Sequence, residues 1–303
     1  MLYKIQFFIQ RLFGIQKLNR NLNENKVLVG KLLLRQNQED AQQIIQDIKK
    51  AEFKVFSQWG DDGIIQFLVH YLDIKPKTFI EFGVEDYLES NTKYLLINNN
   101  WSGLVLDGSS KNIQKIKTDP IYWRYDLTAE CAFITRENIN EIIKRNGFEG
   151  NVGILSIDID GNDYWVWEAI ECIDPSIVII EYNAVFGDKR AITIPYQPDF
   201  YRTKAHFSNL YFGASLPAFV DLGIKKGYHF IGCTSAGNNA YFVRKGLEKD
   251  LAIKSIDEGF VQSKSREGRN QSGQLTYVSG NSRLELIKGL EVIDIKTGQT
   301  QSI

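Results

Sequence analysis

Five short apolar runs in this chain each carry an acidic residue at or near their carboxyl end. Thr-Phe-Ile-Glu-Phe-Gly-Val holds Glu81 and leads into Glu85 and Asp86. Gly-Leu-Val-Leu-Asp ends in Asp107, and Tyr-Trp-Arg-Tyr-Asp-Leu-Thr holds Asp126. Ile-Leu-Ser-Ile-Asp-Ile-Asp-Gly-Asn-Asp carries Asp158 and Asp160, and Ile-Val-Ile-Ile-Glu-Tyr-Asn carries Glu181. One acid in such a place is ordinary, because it caps the helix that follows. A row of them is costly, since crowded like charges raise one another's pKa. The row is accounted for by a guest that is cationic or rich in hydroxyls.

The glycines narrow the choice of guest. A dinucleotide brings a pyrophosphate, which needs a glycine-rich turn at a helix start. Here only Gly83 follows the first run, and the next residues are Val84, Glu85 and Asp86. Those acids repel a pyrophosphate. S-adenosylmethionine suits them better, with its cationic sulfonium and amino groups and its ribose hydroxyls. Gly83 permits close backbone approach. Asp107 stands where nucleotide-binding folds place the acid that accepts from the ribose, and Asp126 is a candidate acceptor for the adenine amino group.

Two further chemistries use the same residues. Asp158, Asp160 and Glu181 form a carboxylate set that suits Mg²⁺, and a bound divalent ion lowers the pKa of a hydroxyl. Without a metal, a hydroxyl acceptor needs a base, and Asp160, Glu181 and His206 are the candidates. His206 falls in the loop-rich stretch Tyr201–Gly213, past the fifth run.

The elements that must hold these residues follow from alternation. Apolar runs at Thr78–Val84, Gly103–Asp107, Ile121–Leu127, Val152–Asp158 and Ile177–Tyr182 alternate with helical patterns at Ser90–Asn99, Ser110–Lys117, Glu137–Asn146 and Tyr164–Ile173. Buried runs interleaved with helices predict a parallel sheet covered on both faces. A helix at Ser215–Lys226 then precedes strands at Tyr228–Cys233 and Ala240–Arg244. Only six residues join those two strands, too few for a parallel crossover, so they predict an antiparallel hairpin. The fold class is therefore α/β: a Rossmann-like, doubly wound, mostly parallel sheet ending in an antiparallel hairpin, preceded by N-terminal helices.

The chain divides by composition into an N-terminal helical extension (1–52), the α/β domain (53–246) and a polar C-terminal tail (247–303). In the extension Leu2, Ile5, Ile9, Leu12 and Phe13 recur at helical spacing among Lys4, Arg11, Lys17 and Arg20. Such a helix packs on its own domain, on a second copy as a homodimer, or on an anionic membrane through residues 1–20. Asp61 and Asp62 open an apolar-periodic helix ending near Leu72, as capping acids or as a lip of the site. In the tail, Lys264, Arg266 and Arg269 suggest either a solvated segment or a lid over an anionic or sugar acceptor.

The 303 residues are 43% hydrophobic and carry net charge −1 from 36 basic and 37 acidic side chains. No general basic field for nucleic acid exists. No run of about 18 apolar residues is present to span a membrane. Cys131, Cys172 and Cys233 lack the spacing of a zinc site and read as buried thiols in a reducing compartment. With no signal-peptide pattern at the start, the expected location is the cytoplasm.

Glu81-Phe-Gly, Asp107, Asp126 before Leu-Thr, and the closing hairpin resemble class I S-adenosylmethionine-dependent methyltransferases. Trp101-Ser-Gly-Leu-Val-Leu-Asp and Leu155-Ser-Ile-Asp-Ile-Asp-Gly-Asn-Asp resemble the FkbM-type group among them. The resemblance spans about residues 53–246, and of the usual Gly-x-Gly-x-Gly only Gly83 matches. It implies O-methylation of a sugar or natural-product hydroxyl, often in polysaccharide biosynthesis. It also implies that Glu81, Gly83, Asp107 and Asp126 contact the cofactor, with Asp158 or Asp160 near the transferred methyl group. Two alternatives stay open: a metal-dependent glycosyltransferase using Asp158-x-Asp160, and a catalytically silent binding protein with this fold.

Overall fold

The first eight strands are β1 (Thr78–Phe82), β2 (Ser102–Asp107), β3 (Leu127–Cys131), β4 (Gly150–Ile157), β5 (Ile173–Glu181), β6 (Ile192–Thr193), β7 (Tyr228–Cys233) and β8 (Asn239–Arg244). All but β6 join one seven-stranded sheet in the order β3-β2-β1-β4-β5-β8-β7. The computed structural model behind this description covers residues 2–303, except the side chains of residues 2–13, 15–17 and 19. The expected stripe Leu2, Ile5, Ile9, Leu12 and Phe13 therefore lies outside the described side chains. Strands β1 to β5 run parallel. Strand β8 is antiparallel to β5, and β7 to β8. This is the Rossmann-like sheet with its antiparallel hairpin.

The helices, in chain order, begin with α1 (Leu2–Glu39), α2 (Ala41–Ile44), α3 (Asp61–Tyr71), α4 (Lys93–Asn99), α5 (Ser110–Thr118) and α6 (Pro120–Arg124). There follow α7 (Ile139–Arg145), α8 (Asp163–Ala169), α9 (Arg202–Ala205), α10 (Leu216–Lys225), α11 (Ile256–Gly259) and α12 (Ser282–Leu286). Strand residues alternate between faces. Phe79, Val105, Ile154 and Ile179 pack with α3, α4, α5 and with Ile44 and Ile48 of the N-terminal region. Ile80, Leu106, Leu155 and Ile180 pack with α7, α8 and α10 on the other side. The compositional boundary near residue 52 thus runs through a shared core.

Two expectations need correction here. The third strand is Leu127–Cys131, and much of the run expected to be strand, Ile121–Leu127, is helix α6. Asp119 accepts from Ile121 N (2.8 Å) and Pro120 opens the helix, a local start signal stronger than the strand tendency of Tyr122 and Trp123. The polar tail is also built into the fold. Strands β9 (Glu291–Asp294) and β10 (Thr300–Ser302) form a three-stranded sheet with β6, and Ile287 and Val292 are buried against Ile192, Ile194, Phe200 and Phe212. Of the cysteines, Cys233 is buried, Cys172 is half-buried and Cys131 is exposed; all are free thiols.

The face that carries α8 and α10 is locked by Trp167. Its ring lies 5.1 Å from Phe242, 6.0 Å from Tyr228 and 6.3 Å from Phe219. Trp167→Ala leaves a cavity among rings that cannot collapse into it. The expected loss is about 3–5 kcal/mol in urea denaturation.

Candidate functional site

The strand order reverses direction between β1 and β4, and a crevice of about 950 Å³ opens there over the carboxyl ends of the strands. Glu81, Gly83, Asp107, Asp158, Asp160 and Glu181 all line it. Asp126 and His206 do not. Because the third strand begins at Leu127, Asp126 is exposed at the amino edge of the sheet and lines a separate shallow cleft with Thr78 and Ser102. The half-buried His206 pairs its Nδ1 with Ser208 Oγ at 2.8 Å and packs its ring on Phe207. Neither is brought to the crevice with the other acids.

Glu81 is a clasp. One oxygen accepts from Asn91 N (2.8 Å), and the other from Ser90 Oγ (2.6 Å), Thr92 N (3.1 Å) and Thr92 Oγ1 (2.5 Å). Burial pushes its pKa up while these donors pull it down. The result fixes the Ser90–Thr92 turn ahead of α4, and Asn91 reaches on to Ser156 Oγ on β4 (3.1 Å). Gly83 follows with φ +72°, and a Cβ there would overlap the Asp158 carbonyl oxygen. Only glycine allows β1 to turn this close to β4. Asp107 accepts from Glu85 N (2.9 Å), Ser109 N (2.8 Å) and Asn112 Nδ2 (3.1 Å), which aims the carboxylate into the crevice mouth. Ala132, Phe133 and Ile134 supply an apolar wall beside it.

Across the crevice the acids are not satisfied in this way. One oxygen each of Asp158, Asp160 and Glu181 lies within 4.8 Å of the others. Glu181 Oε2 is buried without a partner. Burial, reinforced by mutual repulsion, holds the carboxyls of Asp158 and Glu181 well above their ordinary range. Both carboxyls are therefore easier to protonate than isolated ones. Asp160, in the left-handed region at φ 55°, receives Arg202 Nη1 at 2.5 Å. Arg202 also pairs with Glu267 and lies over the Phe212 ring at 3.9 Å. Asp163 shapes the loop by accepting from Ile159 N and Gly161 N, both at 2.8 Å. Three carboxylates and an orphaned oxygen fit a hard divalent cation. Asp107 beside an apolar wall fits a ribose and its base.

Several lining residues carry no signal in the sequence. Phe200, Tyr201 and Arg202 come from the segment between β5 and α10, and Ser263, Ser265, Glu267 and Arg283 from the C-terminal region. The expected lid residues Lys264, Arg266 and Arg269 do not line the crevice. Residues 262–267 alternate as an extended chain does, so Ser263 and Ser265 turn inward while Lys264 and Arg266 are exposed. Arg269 is spent on Gly273 O. Gln58 and Trp59 form a lip on the α3 side. Asp62 holds that lip by accepting from the backbone of Val55, Phe56 and Ser57, each at 2.7 Å, and from Ser57 Oγ. Asp61 ties it to β8 through Asn239 Nδ2 (2.9 Å) and Tyr241 Oη (2.6 Å). Both acids are thus braces for the lip, and Gly60 occupies the cap position itself.

Gly83→Ala is expected to lower the midpoint of thermal unfolding followed by circular dichroism, because both φ and the Asp158 carbonyl oppose a side chain. Burial raises the Asp61 carboxyl from 3.8 to about 6. Its stabilising contribution is complete below pH 3.8 and is lost as pH rises through about 6, a change of about 3 kcal/mol at 1.36 kcal/mol per unit. Urea titrations from pH 4 to pH 8 should therefore give a shallower decline for Asp61→Asn than for the native chain. Equal slopes would refute the shift.

No protein-family model and no curated protein matches this sequence. Solved structures align with it at low identity. The N-terminal domain of EvdMO1 with SAH bound covers 62% of this chain and 80% of its own, at 8% identity and TM-score 0.40. An O-methyltransferase from Bacillus cereus in complex with SAH covers 71% and 90%, at 13% identity and TM-score 0.40. An S-adenosylmethionine-dependent methyltransferase from Clostridium acetobutylicum covers 69% and 99%, at 9% identity and TM-score 0.40. Likeness at this level assigns no activity to the present chain.

Proposed function

We propose that this protein is an S-adenosylmethionine-dependent O-methyltransferase of FkbM-like type, acting on a hydroxyl of a sugar or glycan. The observation that carries the reading is one crevice with two unlike halves. In one half Asp107 is fully braced beside an apolar wall. In the other Asp158 and Glu181 are crowded and short of partners.

In this reading Asp107 accepts from the ribose hydroxyls and Ala132–Ile134 flank the adenine, the role expected of Asp126. Gly83 admits the cofactor's backbone-facing edge, and Glu81 holds the turn beside it. The cofactor supplies an electrophilic methyl group on a positively charged sulfur. Glu181, with Asp158, accepts the proton of the acceptor hydroxyl, and Asp160 holds Arg202 at the acceptor wall. Phe200 and Tyr201 offer ring faces to a sugar. Should Mg²⁺ take part, Asp158, Asp160 and Glu181 would hold it, and it would lower the pKa of the hydroxyl. The three free cysteines favour a reducing, cytoplasmic setting, and polysaccharide biosynthesis is the natural context for such an acceptor.

Calorimetry with S-adenosylhomocysteine should give micromolar affinity, weakened at least tenfold by Asp107→Ala. Binding of a UDP-sugar with Mn²⁺ in its place would make the chain a glycosyltransferase, and binding of neither would leave a silent fold. Turnover should rise with pH as the Asp158–Glu181 pair deprotonates, with an apparent pKa above that of free carboxylates. Glu181→Gln should flatten that limb and cut kcat by about 10²–10⁴-fold. An unchanged pH profile would remove Glu181 from the chemistry.

A further inference from the structure

Helix α1 is 38 residues long, about 57 Å at 1.5 Å per residue. Among the described side chains, those that tie it to the rest of the chain lie in its C-terminal part. Gly30 packs against Tyr94, Leu34 is buried, and Asn37 Nδ2 donates to Ala51 O at 2.8 Å. Tyr94 Oη donates to Val27 O at 3.3 Å. An isolated helix is marginal in water, so the exposed described residues of α1 bear on what covers it.

A second face of α1 shows what covers it. Leu18, Leu22, Val29 and Leu32 are each between 49% and 65% exposed. With exposed Asn25, the residues Leu18, Leu22, Val29 and Leu32 follow the spacing 4-3-4-3, the seam of a two-stranded coiled coil, and exposed Leu28 flanks it. A helix lying on a membrane needs a broader apolar face, and Asn25 in mid-seam would be driven into lipid. Against a second copy, Asn25 meets its own counterpart and fixes the register.

The remaining geometry agrees. Gly30, Leu34 and Asn37 lie roughly 130° around the helix from the seam, at 100° per residue. A twofold pair along the seam therefore leaves both domains on the outside, free of collision. Arg20 and Lys31 also fall on the outward side, where the like charges of two copies stay apart.

We propose that α1 joins two copies of this chain as a parallel coiled coil through Leu18, Leu22, Asn25, Val29 and Leu32. The inference is independent of the methyl-transfer reading. Sedimentation equilibrium of the full chain at micromolar concentration should give a dimer. The double variant Leu22→Glu/Val29→Glu should be a monomer with unchanged circular dichroism in the domain's melting transition, since both side chains are exposed. Lys31→Glu should remain a dimer. On a Cys131→Ser background, Asn25→Cys should form a disulfide between copies under mild oxidation, as only a parallel, in-register pair allows. A monomeric native chain, a dimeric double variant or no Asn25→Cys cross-link would overturn the proposal. So would a native monomer that binds phosphatidylserine vesicles and loses that binding in the double variant.

Discussion

Burying a carboxylate is tolerable only if donors replace the water it gives up, and this requirement organises the whole ligand edge of the sheet. Glu81 receives four donors, Asp62 four, Asp107 three and Asp163 two. The sets of Glu81, Asp62 and Asp163 each come from one short segment, and that of Asp107 joins the segment after β1 to the start of α5. The acids thus dictate how the loops fold, and the loops in turn set the shape of the crevice. The negative charge at the strand ends is to a large extent scaffold.

Against that background the exceptions stand out. Asp158 and Glu181 lack such fans of donors, and Glu181 Oε2 has no partner at all. Arg202 answers Asp160 and Glu267 but leaves the other two acids facing each other. Unmet electrostatic demand is therefore concentrated at one place, on the β4–β5 side of the switch point. A proton, a metal ion or a hydroxyl would each meet it.

The sheet was legible because its signal is repetitive: apolar runs, helical spacing and a six-residue hairpin loop all agree. Asp107, Asp158, Asp160 and Glu181 were legible for the same reason, each sitting at a strand end that periodicity locates. Asp126 fell outside the crevice because a single capping pair, Asp119 with Pro120, outweighed the strand tendency of Tyr122 and Trp123 and moved the strand past it. His206 failed because loop position says nothing of direction. The C-terminal region misled by its polarity. Its few apolar anchors, Leu251, Ile287 and Val292, are widely spaced, yet all are buried. Arg202 and Glu267 meet only through tertiary folding, so no local pattern could announce them.

The pairing of β6 with β9 joins Ile192 and Thr193 to Asp294 and Ile293. These partners lie about a hundred positions apart along the chain. A nascent polypeptide can finish β1 to β5, and with them one half of the crevice, long before β9 is synthesised. The opposite wall, where Phe200 and Arg202 are anchored, closes only when that late strand arrives and the long intervening loop has been drawn shut. Synthesis therefore passes through a stage in which the β1–β5 side of the crevice can be in place while the side braced by β6 and β9 is not.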